Sequence, residues 1–148
     1  MEIMQQFMAY AGDFEKTLAD DDWTRLRRYF ADDAVYEVKA EGFGCRLTGP
    51  PAIFAGIKKS LDGFDRKFSR RDIEVTSGPE ISDDELRMGW KVVYHQDGLP
   101  PFVLRGQSSA RYAGGKIVYL ADSYDPSMGT EFATWQRESG VKLDPSYT

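Results

Sequence analysis

The sequence is poor in the residues that staple, ligate or relay. It has one cysteine, Cys45, and one histidine, His95, in 148 residues. A lone cysteine cannot close an internal disulfide, and no Cys/His spacing of the zinc type is present. No glycine-rich phosphate loop and no Ser-His-Asp order appears either, so a nucleotide, metal or flavin cofactor is not expected. Positive charge is in deficit. Lys and Arg number 19 against 24 Asp and Glu, a formal net charge of −5, which argues against a dedicated nucleic-acid binder that displaces counterions with basic side chains. Long hydrophobic runs are missing too. Stretches such as Ile117-Val118-Tyr119-Leu120-Ala121 fall far short of the roughly 18 residues of a membrane span. The opening Met1-Glu2-Ile3-Met4-Gln5-Gln6 lacks the basic-then-apolar order of a signal peptide, and a reducing, cytoplasmic location is the expectation. Beside Arg46, Cys45 reads as an inert, strand-borne thiol rather than a nucleophile.

What is present is core material. The chain is 41% hydrophobic and 14% aromatic, enough for one domain, residues 1–148, that buries roughly 70% of its unfolded surface. Ile3, Phe7, Tyr10, Phe14 and Leu18 recur at helical spacing. Asp20-Asp21-Asp22 interrupts that pattern and is placed to cap a short second helix carrying Trp23, Leu26 and Phe30 inward; neighbouring carboxylates on a turn diverge too much for a metal site. Residues 34–39 alternate as a strand, with Tyr36 and Val38 sharing a face. Gly49-Pro50-Pro51 opens a third helix with Ile53, Ile57, Leu61 and Phe64 as its stripe.

From there the period is two. Residues 71–76 form a strand closed by Ser77-Gly78-Pro79, residues 87–96 a second, 102–112 a third and 117–124 a fourth, with turn signals at Asp97-Gly98 and Gly114-Gly115. Trp90, Val92 and Tyr94 share one face, and Lys91, Val93 and His95 the other. Val118, Leu120, Asp122 and Tyr124 are likewise in phase. Residues 128–138 make a short terminal helix bearing Phe132 and Trp135. Helices first, then an antiparallel meander, give an α+β domain with helices on one side of a single curved sheet.

Three stretches carry a family resemblance. The run from Asp22 to Tyr36 (Asp22-Trp23-Thr24-Arg25-Leu26 through Ala34-Val35-Tyr36), the helix entry Gly49-Pro50-Pro51-Ala52-Ile53, and the pair Gly114-Gly115-Lys116-Ile117-Val118 and Asp122-Ser123-Tyr124-Asp125-Pro126 together resemble the nuclear transport factor 2-like superfamily. That superfamily includes SnoaL-like polyketide cyclases, ketosteroid isomerases and scytalone dehydratases. The resemblance implies a cystatin-like cone: three N-terminal helices on a strongly curved antiparallel sheet, a short C-terminal helix, and pairing into a homodimer through the sheet's outer face, here Lys91, Val93, His95 and their neighbours.

The resemblance also allows chemistries to be sorted. Ketosteroid isomerases hold an acid neutral in an apolar site to donate a hydrogen bond. Aligned on this chain, their proton-moving carboxylate falls on Val38, their first-helix tyrosine on Phe14 and their oxyanion acid near Ser108, so that constellation is missing. Scytalone dehydratases use pocket histidines, whereas His95 is in phase with Lys91. For a limonene-epoxide-hydrolase arrangement, Arg105 and Arg111 are out of phase with Ser108 and Tyr112. SnoaL-like cyclases match best: their final-strand aspartate corresponds to Asp122, with Leu120 in place of the partner histidine. A carboxyl group among aromatics resists ionisation and so moves toward a pKa useful for general acid–base work. Asp122 is therefore the candidate catalytic residue, set against a structural carboxylate bonded to a nearby tyrosine or arginine. The candidate ligand-contacting residues are Phe14, Tyr36, Val38, Phe54, Trp90, Tyr94, Ser108, Tyr112, Leu120 and Tyr124, the tyrosines because each buried hydroxyl needs a partner. The ligand expected is a flat, small hydrophobic molecule with one or two oxygens. The basic stretch Arg66 to Arg71 reads as a solvated edge. Two functions remain open: a cofactor-free enzyme on a hydrophobic carbonyl compound, or a non-catalytic ligand-binding or partner-binding module of the same fold.

Overall fold

A computed structural model describes residues 2–148. Helix α1 (Ile3–Asp20) buries Phe7, Tyr10 and Thr17 along one stripe and ends at Asp21, which takes a left-handed conformation with φ 62°. The acidic triplet then caps and braces. Asp22 accepts the Thr24 N–H at 3.2 Å, Asp20 holds Arg25, and Asp21 accepts the Trp23 indole N–H at 2.8 Å and pairs with Lys58 and Arg66. The expected second helix is a 3₁₀ segment, Trp23–Tyr29, and Phe30 lies in the strand that follows it rather than in the helix.

Strands β1 (Phe30–Lys39) and β2 (Cys45–Thr48) are followed by α2 (Pro50–Gly63), whose prolines occupy the first turn and whose Ile53, Ile57 and Leu61 face inward. Then come β3 (Arg70–Ser82), β4 (Glu85–His95), β5 (Phe102–Ala113), β6 (Lys116–Tyr124) and α3 (Met128–Ser139). The sheet order is β2-β1-β6-β5-β4-β3. After α2 the chain enters the sheet at its far edge and returns strand by strand, so β6 arrives beside β1 running the same way. That one pair is parallel and all others are antiparallel. The sheet is thus mixed, a correction to the antiparallel expectation.

A second correction concerns Ser77-Gly78-Pro79, which does not end a strand. β3 continues through it to Ser82 with two slips of register against β4. Gly78 sits at φ 75° with the Arg87 carbonyl and the Glu80 N–H both 2.9 Å from where a Cβ would stand, so only glycine fits. Bulges of this kind, with another between Phe30 and Val35 on β1 and one at Val118 on β6, opposite Arg111 and Tyr112, bend and twist a sheet. The helices fill its hollow. Leu26, Phe30, Ile53, Leu86 and Ile117 pack one end solidly, while Phe64, Val92, Tyr94, Phe102 and Trp135 form a second cluster. No helix among the described residues is long and apolar enough to cross a membrane.

Candidate functional site

Between the two clusters the hollow is not filled. A cavity of about 300 Å³ is walled by α1 (Tyr10, Phe14), α2 (Ile57, Leu61), the sheet (Tyr36, Trp90, Tyr94, Ser108, Leu120, Asp122, Tyr124) and Pro145 and Tyr147 of the segment after α3. Its polar centre is Asp122. Asp122 and Ser108 face each other as partners across β5 and β6, and the Ser108 hydroxyl donates to Oδ1 at 2.6 Å. Tyr36, two residues before Asp122's partner Val38 on β1, donates its hydroxyl to Oδ2 at 2.6 Å. Trp90 completes the chain by donating its indole N–H to the Ser108 oxygen at 2.8 Å. An indole nitrogen can only donate, so the Ser108 oxygen receives that proton and, while Asp122 is ionised, points its own at Oδ1.

Gly106 makes this arrangement possible. It pairs with Trp90 across β4 and β5, and a Cβ there would stand 2.9 Å from the indole ring; without one, the ring lies flat across β5 and reaches Ser108. Burial pushes the Asp122 carboxyl above its ordinary value, against the lowering effect of the Ser108 and Tyr36 hydrogen bonds. Burial likewise raises Tyr36 and Tyr124 well above the usual phenol range, so both stay protonated. The Tyr124 and Tyr147 hydroxyls lie 2.8 Å apart. One donates to the other, and the Tyr147 hydroxyl also meets Ser60, whose own proton goes to the Pro145 carbonyl, so the second proton of the pair has Ser60 Oγ beside it as an acceptor.

Most of the expected contact residues meet here: Phe14, Tyr36, Trp90, Tyr94, Ser108, Leu120, Asp122 and Tyr124 line the cavity. Three do not. Val38 is buried in the core. Phe54 is turned to the solid end, its ring 5.6 Å from Trp23 and 5.5 Å from Phe30. Tyr112, near the far end of β5 opposite Ile117, is buried with its hydroxyl unpartnered. His95 lies on the other face of β4 with Nε2 3.1 Å from Asp72, and Arg105 is bound to Glu131 of α3. Cys45 is half-buried on β2, and burial raises its thiol, which leaves it unreactive. Among the described residues no group of three His, Cys, Asp or Glu side chains is placed to hold a metal ion.

The basic stretch is also corrected. Arg66 and Arg71 are not a solvated edge, their side chains being only 21% and 14% exposed. Arg66 donates to Asp62, Asp21 and the carbonyls of Thr17 and Leu18. Arg71 enters the cavity wall together with Asp65, which lies on the 3₁₀ turn after α2. Neither Asp65, Arg71 nor Tyr147 was singled out by sequence. For Arg71 a signal existed, since it alternates in phase with Ile73 and Val75. For Tyr147 there was none. It belongs to an irregular segment held against α2 by Ser60, whose hydroxyl donates to the Pro145 carbonyl at 2.6 Å, and by the absence of a side chain at Gly63 where the Asp144 carbonyl packs.

No family model matches the chain, and no curated protein matches it in sequence. Solved structures do match in shape. A protein from Bacillus subtilis assigned as an isomerase superposes with a TM-score of 0.66 at 18% identity, covering 97% of this chain and all (100%) of that one. One from Shewanella denitrificans assigned as a SnoaL-like polyketide cyclase gives 0.64 at 13% identity over 91% and 96% of the two chains. An NTF2-like protein of unknown function from Burkholderia pseudomallei gives 0.65 at 13% over 93% and 97%. With its helices packed into the hollow of a bent six-stranded sheet, the chain adopts the nuclear transport factor 2-like fold.

Proposed function

We propose that the protein binds a small, flat, largely apolar carbonyl compound in this cavity and moves a proton on it without a cofactor, Asp122 being the acid–base group. The observation that carries this reading is the carboxyl of Asp122 on the cavity wall, held by Ser108 and Tyr36 at 2.6 Å each and raised by burial. Each Asp122 oxygen accepts one hydroxyl and retains a second lone pair for the ligand. In the proposed step, Asp122 takes a proton from the carbon next to the carbonyl. The C–H electron pair becomes the enolate double bond, and the negative charge arrives on the carbonyl oxygen. The second proton of the Tyr124–Tyr147 pair, turned from Ser60 toward the ligand, is the donor for that oxygen. Protonated Asp122 then returns its proton: in an isomerisation to another carbon of the conjugated system, and in a ring closure, where the enolate carbon bonds to a second carbonyl carbon of the same ligand and that C=O π pair moves onto its oxygen, to the alkoxide so formed. Support from similar folds is coarser: their assignments include an isomerase and a polyketide cyclase, and fold alone does not fix chemistry.

The test needs no knowledge of the natural substrate. Aromatic ketones are screened for binding by thermal shift, and bound ketones are followed by NMR in D₂O for exchange of the protons next to the carbonyl. Asp122→Asn is expected to slow exchange by about 10²–10⁴-fold, the usual range for a general acid–base group, while binding persists. Exchange unchanged in that variant overturns the catalytic role.

The satisfied hydrogen-bond network around Asp122 favours one rival, a non-catalytic binding module of the same fold. That reading predicts ketone binding with no exchange above buffer in the parent protein. The proposal also includes a homodimer through the outward face of β4, where Lys91, Val93 and His95 stay part-exposed; a monomer by light scattering at micromolar concentration overturns that part.

A further inference from the structure

Asp122 is not the cavity's only acid. Asp65 lines the same space with its side chain 12% exposed. Its Oδ2 accepts the Tyr94 hydroxyl at 2.9 Å and Arg71 Nη1 at 3.2 Å. Arg71 crosses from β3 and also binds Glu15 of α1, while its Nε–H is buried with no acceptor. A buried donor without a partner is costly in a finished interior, and an ion pair present only to fasten α1 to β3 would be matched by apolar packing of similar volume. Burial moves the Asp65 carboxyl upward in spite of the neighbouring guanidinium. The cavity therefore repeats one construction twice: an aspartate steadied by a tyrosine hydroxyl, Asp122 with Tyr36 and Asp65 with Tyr94. Apolar wall, including Leu61 and Val92, lies in the same lining.

We infer that Asp65, Tyr94 and Arg71 form a second binding station, and that the ligand class is an aromatic ketone carrying a phenolic hydroxyl away from its carbonyl. The inference rests on the cavity's being the binding site proposed above. A phenol suits this station because its O–H donates to Asp65 while its oxygen accepts from Arg71. A carboxylate suits it poorly. Arg71 already faces Asp65 and Glu15, so the station offers no surplus positive charge.

The experiment is calorimetric titration of the full chain with four probes: benzophenone, 4-hydroxybenzophenone, 4-methoxybenzophenone and 4-carboxybenzophenone. The hydroxyl is expected to tighten binding over benzophenone by about tenfold, the equivalent of one hydrogen bond to a charged partner; methoxy and carboxylate are expected to give no gain. In Asp65→Ala and Arg71→Gln the ratio of 4-hydroxybenzophenone affinity to benzophenone affinity is expected to fall to about one, whatever either variant does to benzophenone itself. Should either variant fail to give a cooperative melt, Tyr94→Phe, which deletes one oxygen, takes its place, and the four-probe series on the parent chain decides alone. Benzophenone binding with no gain from the hydroxyl, or a gain that survives Asp65→Ala, overturns the second station and leaves the Asp122 reading intact. No binding by any of the four overturns the cavity reading itself.

Discussion

The same face of the same sheet carries two apolar regions, one solid and one hollow. At the solid end Leu26, Phe30, Ile53, Leu86 and Ile117 are essentially inaccessible, and none of them has a polar side-chain atom. Around the cavity, Tyr36, Trp90, Tyr94, Ser108, Asp122 and Tyr124 stand among apolar side chains such as Phe14, Leu61 and Leu120, and each of those six carries a group that must find a partner. Trp90 is committed to Ser108, Tyr36 to Asp122, Tyr94 to Asp65 and Tyr124 to Tyr147. Side chains braced by such bonds are not free to slide inward and fill space. Hydrocarbon side chains meet only a demand for contact, so they close up to native density. The hollow is thus held open by its own polar bracing.

That contrast can be attacked from both ends. The largest effect on stability is expected at the solid end, where Phe30→Ala should cost roughly 3–5 kcal/mol, the usual range for emptying a core phenylalanine position. Urea denaturation reads this directly, and a loss below about 1 kcal/mol would mean the two ends do not differ as described. Gly106→Ala comes next. Its methyl drives into the indole of Trp90 and the Ser123 carbonyl, so about 1–3 kcal/mol of overpacking is expected, together with loss of the Trp90–Ser108 bond, visible as a change in tryptophan emission. Tyr124→Phe, which removes one half of the hydroxyl pair, should cost only about 0.5–1.5 kcal/mol while weakening ketone binding. A larger stability loss than at Phe30 would show that bracing, not packing, carries the fold.

The smallest effect is one of shape. The Asp122 carboxyl is raised in the folded protein, so the folded state holds this proton more tightly than the unfolded chain does. The stability tied to it is present below the unfolded aspartate value of about 4 and is lost as pH climbs through the folded value. Asp65 acts in the same direction. Asp20 and Asp21 act in the opposite sense. Held to about 2, chiefly by Arg25 and by the Trp23 N–H respectively, they give up their contribution only as pH falls from about 4 toward that value. Asp122→Asn should therefore flatten part of the decline in melting temperature above about pH 4 and leave the acid limb unchanged.

Much of this was legible from alternation alone. The phase of Trp90, Val92 and Tyr94 and that of Leu120, Asp122 and Tyr124 placed the right side chains on the inner face, because a half-covered strand writes its burial into its sequence; Val118, counted in that phase, is skipped by the register and Ile117 is the core residue instead. The entry of α2 at Pro50 was legible for a similar local reason. What could not be read was non-local. The parallel pairing of β1 with β6 follows from where the chain re-enters the sheet, which no window of residues records. Ser77-Gly78-Pro79 has the composition of a turn, yet β4 holds the strand through it. Phe30 fits helical spacing with Trp23 and Leu26, but the segment is too short and too tightly wound to keep it. Asp65 and Arg71 were hidden by their neighbours, one in a turn and the other in a run of basic residues. Only the register of Arg71 against Tyr94 brings them together.

The chain of donors from Trp90 through Ser108 to Asp122 means that the site carries its own optical reporter. Ionising the carboxylate changes the electric field along the indole's N–H axis two bonds away. In a Trp23→Phe, Trp135→Phe background the remaining emission would therefore follow the protonation state of Asp122 in real time, with no label attached and no substrate in hand.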